Sequence, residues 1–490
     1  MIRRWPLVIV GLAACASVAR FATPDTVLDD AFITLRAARS WMEQGTPAVQ
    51  LGAADASTSV PWLWLARLFL ELGVDPLTAL RVLGAACHVG ASVLIAAAAA
   101  ALAPRSARAA LAAGLLVALS GSLAFHATAG LETGLWALAL ATAIYGLAAR
   151  RRTPLLLGIL LVAAARPEGL LLAPCLVGLV VWKERRLAPQ AALAAAIGAG
   201  AVALFRWHYF HALLPNTYWA KPPDPLEGAH DLGSFAVWGL GGLLPLACVP
   251  ALRRPSLARG LVIIATVMAL GTVWSGGDWM PGYRRFTAAY LCVAVVAGAG
   301  IGISLRLSPW LGFVAGITAH VASAAGGRDL GRYNPEGMPF VARLVADSPG
   351  IDEVALVDIG AFGWHYRGRI YDVAGLSDAH IAARPGGHLE KWDAEEFARR
   401  RPDLALVELN PRDPELHPFQ GGYRVRSRAE ACLIGAALRL GYRPITTVRT
   451  ARDIYLLALL RPGRSLPESV WGPPLPIDAD ELVRQFPACP

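Results

Sequence analysis

Leu28-Asp29-Asp30-Ala31-Phe32-Ile33-Thr34 sets two adjacent carboxylates just beyond the first apolar run, at 5–19. What that pair means depends on whether the run crosses a membrane. Apolar runs recur up to about residue 325, whereas 326–490 is charged throughout and punctuated by Pro and Gly. Of the 490 residues 55% are hydrophobic and 17% charged, against roughly a quarter charged in a soluble domain. The pattern predicts a mainly α membrane protein: a polytopic membrane domain at 1–325 with its first outer loop at 20–77, then a small extracytoplasmic α/β domain at 326–490. A net charge of +9 raises the question of nucleic acid. The tail holds 21 Lys+Arg against 22 Asp+Glu, so the excess cations all lie in the membrane half, and no nucleic acid is expected.

About eleven transmembrane segments are expected, at 5–19, 78–102, 109–125, 131–148, 154–165, 169–182, 189–207, 234–252, 257–275, 286–305 and 309–325. With the N-terminus inside, the inner ends gather Arg3, Arg4, Arg105, Arg108, Arg150 to Arg152, Lys183, Arg185, Arg186, Arg253, Arg254, Arg259 and Arg306, with Glu184 as the lone acid. Lys and Arg are retained on the cytoplasmic side during insertion, so the chain reads N-in, and an odd crossing number puts the tail outside. This predicts a multi-pass protein of a bacterial-type inner (plasma) membrane. The segments at 154–165 and 169–182 are short for a crossing, which suggests a re-entrant pair whose apex Arg166-Pro167-Glu168-Gly169 lies below the outer surface. The stretch 61–72 suits an interfacial amphipathic helix. Leu12-Ala13-Ala14-Cys15 also resembles a lipoprotein cleavage site, but ten further apolar runs follow it.

Orientation sorts the unusual polar residues, and nearly all face out: Asp29 and Asp30, His126, Glu132, Arg166, Glu168, Asn216, Tyr218, Lys221, Asp278, Trp279, Tyr283, Arg284 and Arg285. Ionisable groups at a membrane surface are costly, so their convergence on one face points to a functional cavity. Each has a plainer reading. The Asp pair is solvated, Glu132 faces a helix dipole, Arg166 and Glu168 pair with each other, Asp278 forms a turn, and Arg284-Arg285 anchors at head groups. The chemistry that fits such a cavity is group transfer from a lipid phosphate whose tail stays in the bilayer. A carboxylate, Asp29 or Asp30, deprotonates the acceptor or attacks the anomeric carbon. Cations, Lys221, Arg284, Arg285 and Arg166, stabilise the departing phosphate.

Five motifs in order carry a family resemblance: Asp-Asp-Ala-Phe-Ile at 29–33, Gly-Leu-Glu-Thr at 130–133, Arg-Pro-Glu-Gly at 166–169, Pro-Asn-Thr-Tyr-Trp-Ala-Lys at 215–221 and Gly-Gly-Asp-Trp-Met-Pro-Gly-Tyr-Arg-Arg-Phe at 276–286. The chain resembles the polytopic C-type (GT-C) glycosyltransferases, and most closely those similar to the mycobacterial terminal β-(1→2)-arabinofuranosyltransferase. Val357 to Gly360 and Tyr371 to Asp378 resemble the outer domain of that family. The resemblance implies a GT-C bundle, a polyprenyl-phosphate sugar donor, a cell-envelope glycan or lipid-linked acceptor, and a catalytic Asp29 or Asp30. It also implies donor and acceptor contacts from the loops at 216–221 and 276–286. The stretch 53–62 follows the corresponding family segment only loosely, which leaves the acceptor open.

In the tail, 354–357, 404–407 and 454–460 read as buried strands, with helices at 395–400 and 429–440. Asp358-Ile359-Gly360-Ala361-Phe362-Gly363 has the composition of a phosphate loop without its spacing. Cys15, Cys87, Cys175, Cys248 and Cys292 lie in apolar segments, while Cys432 and Cys489 share the outer domain, where a disulfide is permitted. The residues establish no cofactor, and a divalent cation near Asp29, Asp30 or Asp278 is compatible with a phosphate-bearing donor. Three alternatives stay open: a same-fold transferase for another sugar such as mannose, a flippase of lipid-linked sugars, which calls for an internal repeat not seen here, and a scaffold protein indifferent to loss of the acidic pair.

Overall fold

The computed structural model describes residues 4–23, 26–103, 106–253, 257–278, 280, 282–304, 306–326, 337–411, 423–451, 454–466, 482, 484–486 and 489. The chain falls into two compact units. The first is Met1–Leu28, Thr58–His208 and Pro223–Arg332; the second is Asp29–Ser57, Tyr209–Pro222 and Tyr333–Pro490. Two stretches of the expected membrane domain, 29–57 and 209–222, therefore cluster with the C-terminal residues.

The first unit is helical. Four helices are long and apolar enough to cross a membrane among the described residues: Pro76–Leu102, Arg185–Phe210, Leu257–Trp274 and Arg284–Ile303. Ala107–Ala118 and Gly121–Thr128 form a pair bent by 53°, counted as a fifth if the two make one span. The bend falls where Ser120 stops one helix and caps the next by accepting from the Leu123 N–H. Trp5–Phe21, Thr133–Ala148, Arg152–Ala165, Gly169–Lys183 and Leu307–Ala319 are apolar but shorter. The segment expected at 234–252 is not one helix. Pro225–Ser234 runs into a π turn, Phe235–Gly239, after which Gly241 and Gly242 take φ of 62° and 65°, and Pro245–Leu252 restarts the helix. Successive left-handed residues end a helix, and proline suits the first turn of the next because its missing N–H would be unpaired there. Small residues let these helices approach closely: a Cβ at Gly158 of Arg152–Ala165 would land on the Ala143 backbone of Thr133–Ala148. Such packing replaces the hydrophobic drive that lipid removes.

The second unit is built on a six-stranded sheet among the described residues: β1 (Glu353–Leu356), β2 (Arg369–Asp372), β3 (Leu404–Pro411), β4 (Tyr423–Val425), β5 (Arg443–Ala451) and β6 (Ile454–Leu460). The order is β2-β1-β3-β6-β5, with β4 beside β3. β2, β1 and β3 run parallel, while β6 is antiparallel to both β3 and β5. The apolar Val354, Ala355 and Leu356 are buried, as suits a parallel strand covered on both faces. Helix Arg428–Arg439 starts with a reciprocal cap: Ser427 accepts from the Glu430 N–H and donates to the Glu430 carboxylate. Cys432 in this helix is joined by a disulfide to Cys489.

The early helix Asp29–Gln44 belongs to this unit by packing. Ile33 joins the same core as Phe362, Tyr371 and Phe397. Its acids lie in the first turn, where they complement the helix dipole. Trp41 donates to the Tyr209 hydroxyl at 3.1 Å, which ties the 209–222 stretch to the helix.

Candidate functional site

The sequence-predicted site residues divide between the units. In the first, Glu132, Arg166, Glu168, Asp278, Arg284 and Arg285 form one network. Arg166, buried, donates to Glu132 and lies across Glu168, with Nη2 to Oε1 at 2.9 Å and Nε to Oε2 at 3.1 Å. Arg285 Nε stands 3.7 Å from the same Glu168. Glu132 precedes helix Thr133–Ala148 without capping it, so its partner is Arg166 rather than the helix dipole.

Asp278 orders the loop that brings the two arginines in. It accepts from the Met280 N–H and from the Arg285 N–H, each at 3.2 Å, and lies 3.4 Å from Arg284 Nε. Its own N–H donates to Asp231 at 2.7 Å. The two glycines before it have φ of 88° and 70°, and a Cβ at Gly277 would land on the Asp231 carboxylate. The Tyr283 hydroxyl shares a hydrogen bond with Ser234 at 2.7 Å. Arg284 Nε is buried without a hydrogen-bond partner among the described residues. Trp279 lies outside the described residues.

In the second unit, Asp29 is held by a helix start. Its carboxylate accepts from the Gly360 N–H at 2.9 Å and the Ala361 N–H at 2.7 Å, at the head of helix Ile359–His365. The segment with phosphate-loop composition thus has its N–H donors on a carboxylate of the same chain. Seven residues on, two turns along the same face, Arg36 takes the other end. It donates to Gly363 O at 3.0 Å, Tyr366 O at 3.3 Å, Gly368 O at 2.9 Å and Val49 O at 2.6 Å. An acid at the start and a cation at the end both match the dipole of the short helix.

Burial, then Asp358, then Asp30 push the Asp29 carboxyl up to about 7 against the two N–H donors. Burial and Asp358 likewise raise Glu408 to about 8. Arg426 offsets this acidic group, 3.0 Å from Asp358, 3.8 Å from Glu408 and 3.9 Å from Glu430. Asn216 donates to Gly375 O at 2.8 Å and Leu376 O at 3.1 Å. The turn it holds is ordered by buried Asp372, which accepts from the N–H groups of Ala374, Gly375 and Ser377. Tyr218 is exposed and meets Trp219 edge-on, while Lys221 is half-buried.

Arg36, Glu408 and Arg426 were not singled out from sequence, and Asp358 and Asp372 were read only as members of the motifs at 357–363 and 371–378. Only the Asp29 to Arg36 spacing carried a local signal.

The Asp278 carboxylate faces two N–H donors and a guanidinium, and that of Asp29 faces two N–H donors. One group of three ligand-type side chains, Glu227, His230 and Asp231, occurs among the described residues, with two of the three exposed.

Against known proteins, residues 333–457 match a family described as "Domain of unknown function (DUF8728)". No curated protein matches the sequence. Among solved structures the chain is similar to the crystal structure of ArnT from Cupriavidus metallidurans in the apo state, with a TM-score of 0.57 and 13% identity over 92% of this chain and 97% of that one. At that identity the likeness shows the fold, which is GT-C. Together with its apolar helices, this makes the chain a multi-pass membrane protein.

Proposed function

We propose that the protein is a membrane glycosyltransferase that moves a sugar from a polyprenyl phosphate to an extracytoplasmic cell-envelope acceptor, a glycan or a lipid-linked glycan. The observation that carries this reading is the held carboxylate of Asp29 in a chain of GT-C fold. A carboxylate offers about four lone-pair sites, and two are filled by N–H groups. The remaining two are available to an acceptor hydroxyl, and a carboxyl poised near 7 is matched to removing its proton at neutral pH. As the proton leaves, the acceptor oxygen bonds to the anomeric carbon and the bond from that carbon to the phosphate oxygen breaks.

The departing phosphate needs a cation, for which the loop cations Lys221, Arg284 and Arg285 are the candidates, while Arg166 is held by Glu132 and Glu168. The five ordered motifs favour arabinofuranose as the sugar, with mannose the alternative. The Cys432 to Cys489 disulfide supports an extracytoplasmic second unit, because such bonds persist in oxidising compartments. The arginine asymmetry points the same way.

The test is turnover by purified, detergent-solubilised protein on short-chain polyprenyl-phosphoryl arabinofuranose and mannose with glycan acceptors. Transfer from one donor, abolished by Asp29→Asn, is the expected result. Tight donor binding with no transfer from either would turn the assignment toward a flippase of lipid-linked sugars.

A further inference from the structure

A cleft of about 1440 Å³ lies wholly within the second unit. Its walls come from 46–55, from 209–222, and from edge strand β2 with residues 377–400. Pockets for single small ligands run to roughly 300–1,000 Å³, so this space suits an extended occupant. Three features decide what kind.

The first is aromatic surface. Trp219 is 57% exposed on the wall, and Tyr209 and Phe210 are half-buried beside the cleft. Such rings present an apolar face to a ligand together with a polar edge. The second is the state of the sheet edge. β2 is an outer strand, the kind to which an extended peptide adds through its backbone. Here the Gln50 carboxamide has taken that place: it donates to Ile370 O and accepts from the Ile370 N–H, both at 2.8 Å. A peptide strand is thereby excluded at that residue.

The third is charge. Arg384 is held by Asp393, Arg399 by Glu396, and Arg400 by Asp378 at 2.8 Å and Glu396 at 2.6 Å. Lys391 is turned to the backbone oxygens of Trp219 and Ala382. Arg369, exposed on the same wall, acts on the Glu353 carboxylate, so the lining Arg and Lys side chains each sit with an acid or with backbone oxygens, and the cleft is poorly suited to sulfate or phosphate groups. An occupant that is long, uncharged, faced with C–H surface and edged with hydroxyls meets all three conditions.

We propose that this cleft binds an uncharged oligosaccharide, the glycan chain of the acceptor. The assignment rests on the transferase reading above and adds the class and seat of the acceptor.

The test is binding without donor, on full-length protein in detergent micelles, read by saturation-transfer NMR and tryptophan fluorescence. The probes are a linear pentofuranosyl hexasaccharide, maltohexaose, a sulfated hexasaccharide and a Val/Thr hexapeptide. A neutral hexasaccharide is expected to bind, with its Kd raised about tenfold by Trp219→Ala and much less by Trp219→Phe. Should Trp219→Ala fold poorly, Ala383→Trp at an exposed wall position should block the cleft and abolish binding. Preference for the sulfated probe or the peptide, or neutral binding that ignores both Trp219→Ala and Ala383→Trp, would overturn the assignment. Binding also separates this proposal from the transferase reading. Binding retained with no transfer from any donor sinks only the catalytic assignment, and transfer retained with no binding in the cleft sinks only this one.

Discussion

Replacing Asp29 by Asn should remove activity while making the folded protein less sensitive to alkali. The carboxyl is pushed from 3.8 up to about 7 by burial and by Asp358, roughly 3 pH units or about 4 kcal/mol of preference for the neutral form. The folded state binds this proton more tightly than the unfolded state does. Its stabilising contribution is therefore full below about pH 4 and is lost as the pH rises through about 7. About 2–3 kcal/mol of that loss falls between pH 5 and pH 8. Asn cannot ionise and keeps one oxygen for the two N–H donors, so it carries a pH-independent loss of about 1 kcal/mol. The gap between wild type and Asp29→Asn should thus move in favour of the variant by roughly 5–10 °C of unfolding temperature on going from pH 5 to pH 8, for a unit of this size. Glu408, pushed up to about 8, keeps a slope of its own in both proteins. Thermal unfolding in detergent at the two pH values measures this shift, and turnover should fall roughly 10²–10⁴-fold. A variant that tracks wild type in unfolding at both pH values, or that keeps wild-type turnover, would refute the reasoning.

Gly360→Ala should cost at least tenfold in turnover, measured per folded molecule, because the new Cβ would land on the main-chain oxygen and carboxylate of Asp29. Arg166→Met leaves Glu132 buried without its cation and Glu168 with Arg285 alone, and should destabilise by about 3–5 kcal/mol; thermal unfolding checks this, and adding Glu132→Gln should recover part of the loss. Cys432→Ser opens a cross-link spanning 57 residues and should lower stability by about 4 kcal/mol, with Cys489 becoming reactive to a thiol-specific reagent without prior reduction.

Much of the first network was readable in sequence because its parts are local. Arg166 and Glu168 are two residues apart, and Asp278 precedes Arg284 and Arg285 in one loop with two glycines at its start. What joins the pieces was not readable. The Glu132 to Arg166 pair spans 34 residues and the Asp29 to Gly360 bond 331, and hydropathy carries no information about either. The break at 235–244 was masked because its residues are as apolar as those of a spanning helix; the only local hints were the Gly241-Gly242 pair and Pro245. The composition of 358–363 suggested an anion seat, and the anion is a side chain from the other end of the sequence. The Asp29 to Arg36 spacing of seven was visible, but its meaning needed the short helix that the two residues bracket.

That bracket has a consequence for how the protein is made. Helix Ile359–His365 is emitted from the ribosome more than 300 residues after the aspartate it positions. Through nearly all of synthesis, the Asp29 carboxylate has no partner to hold it. A chain halted between about residues 326 and 358 would carry all of its apolar helices, yet no N–H donors for that carboxylate. On the proposed reading, activity would arrive only once about three-quarters of the polypeptide has been made, when Gly360 and Ala361 are in place.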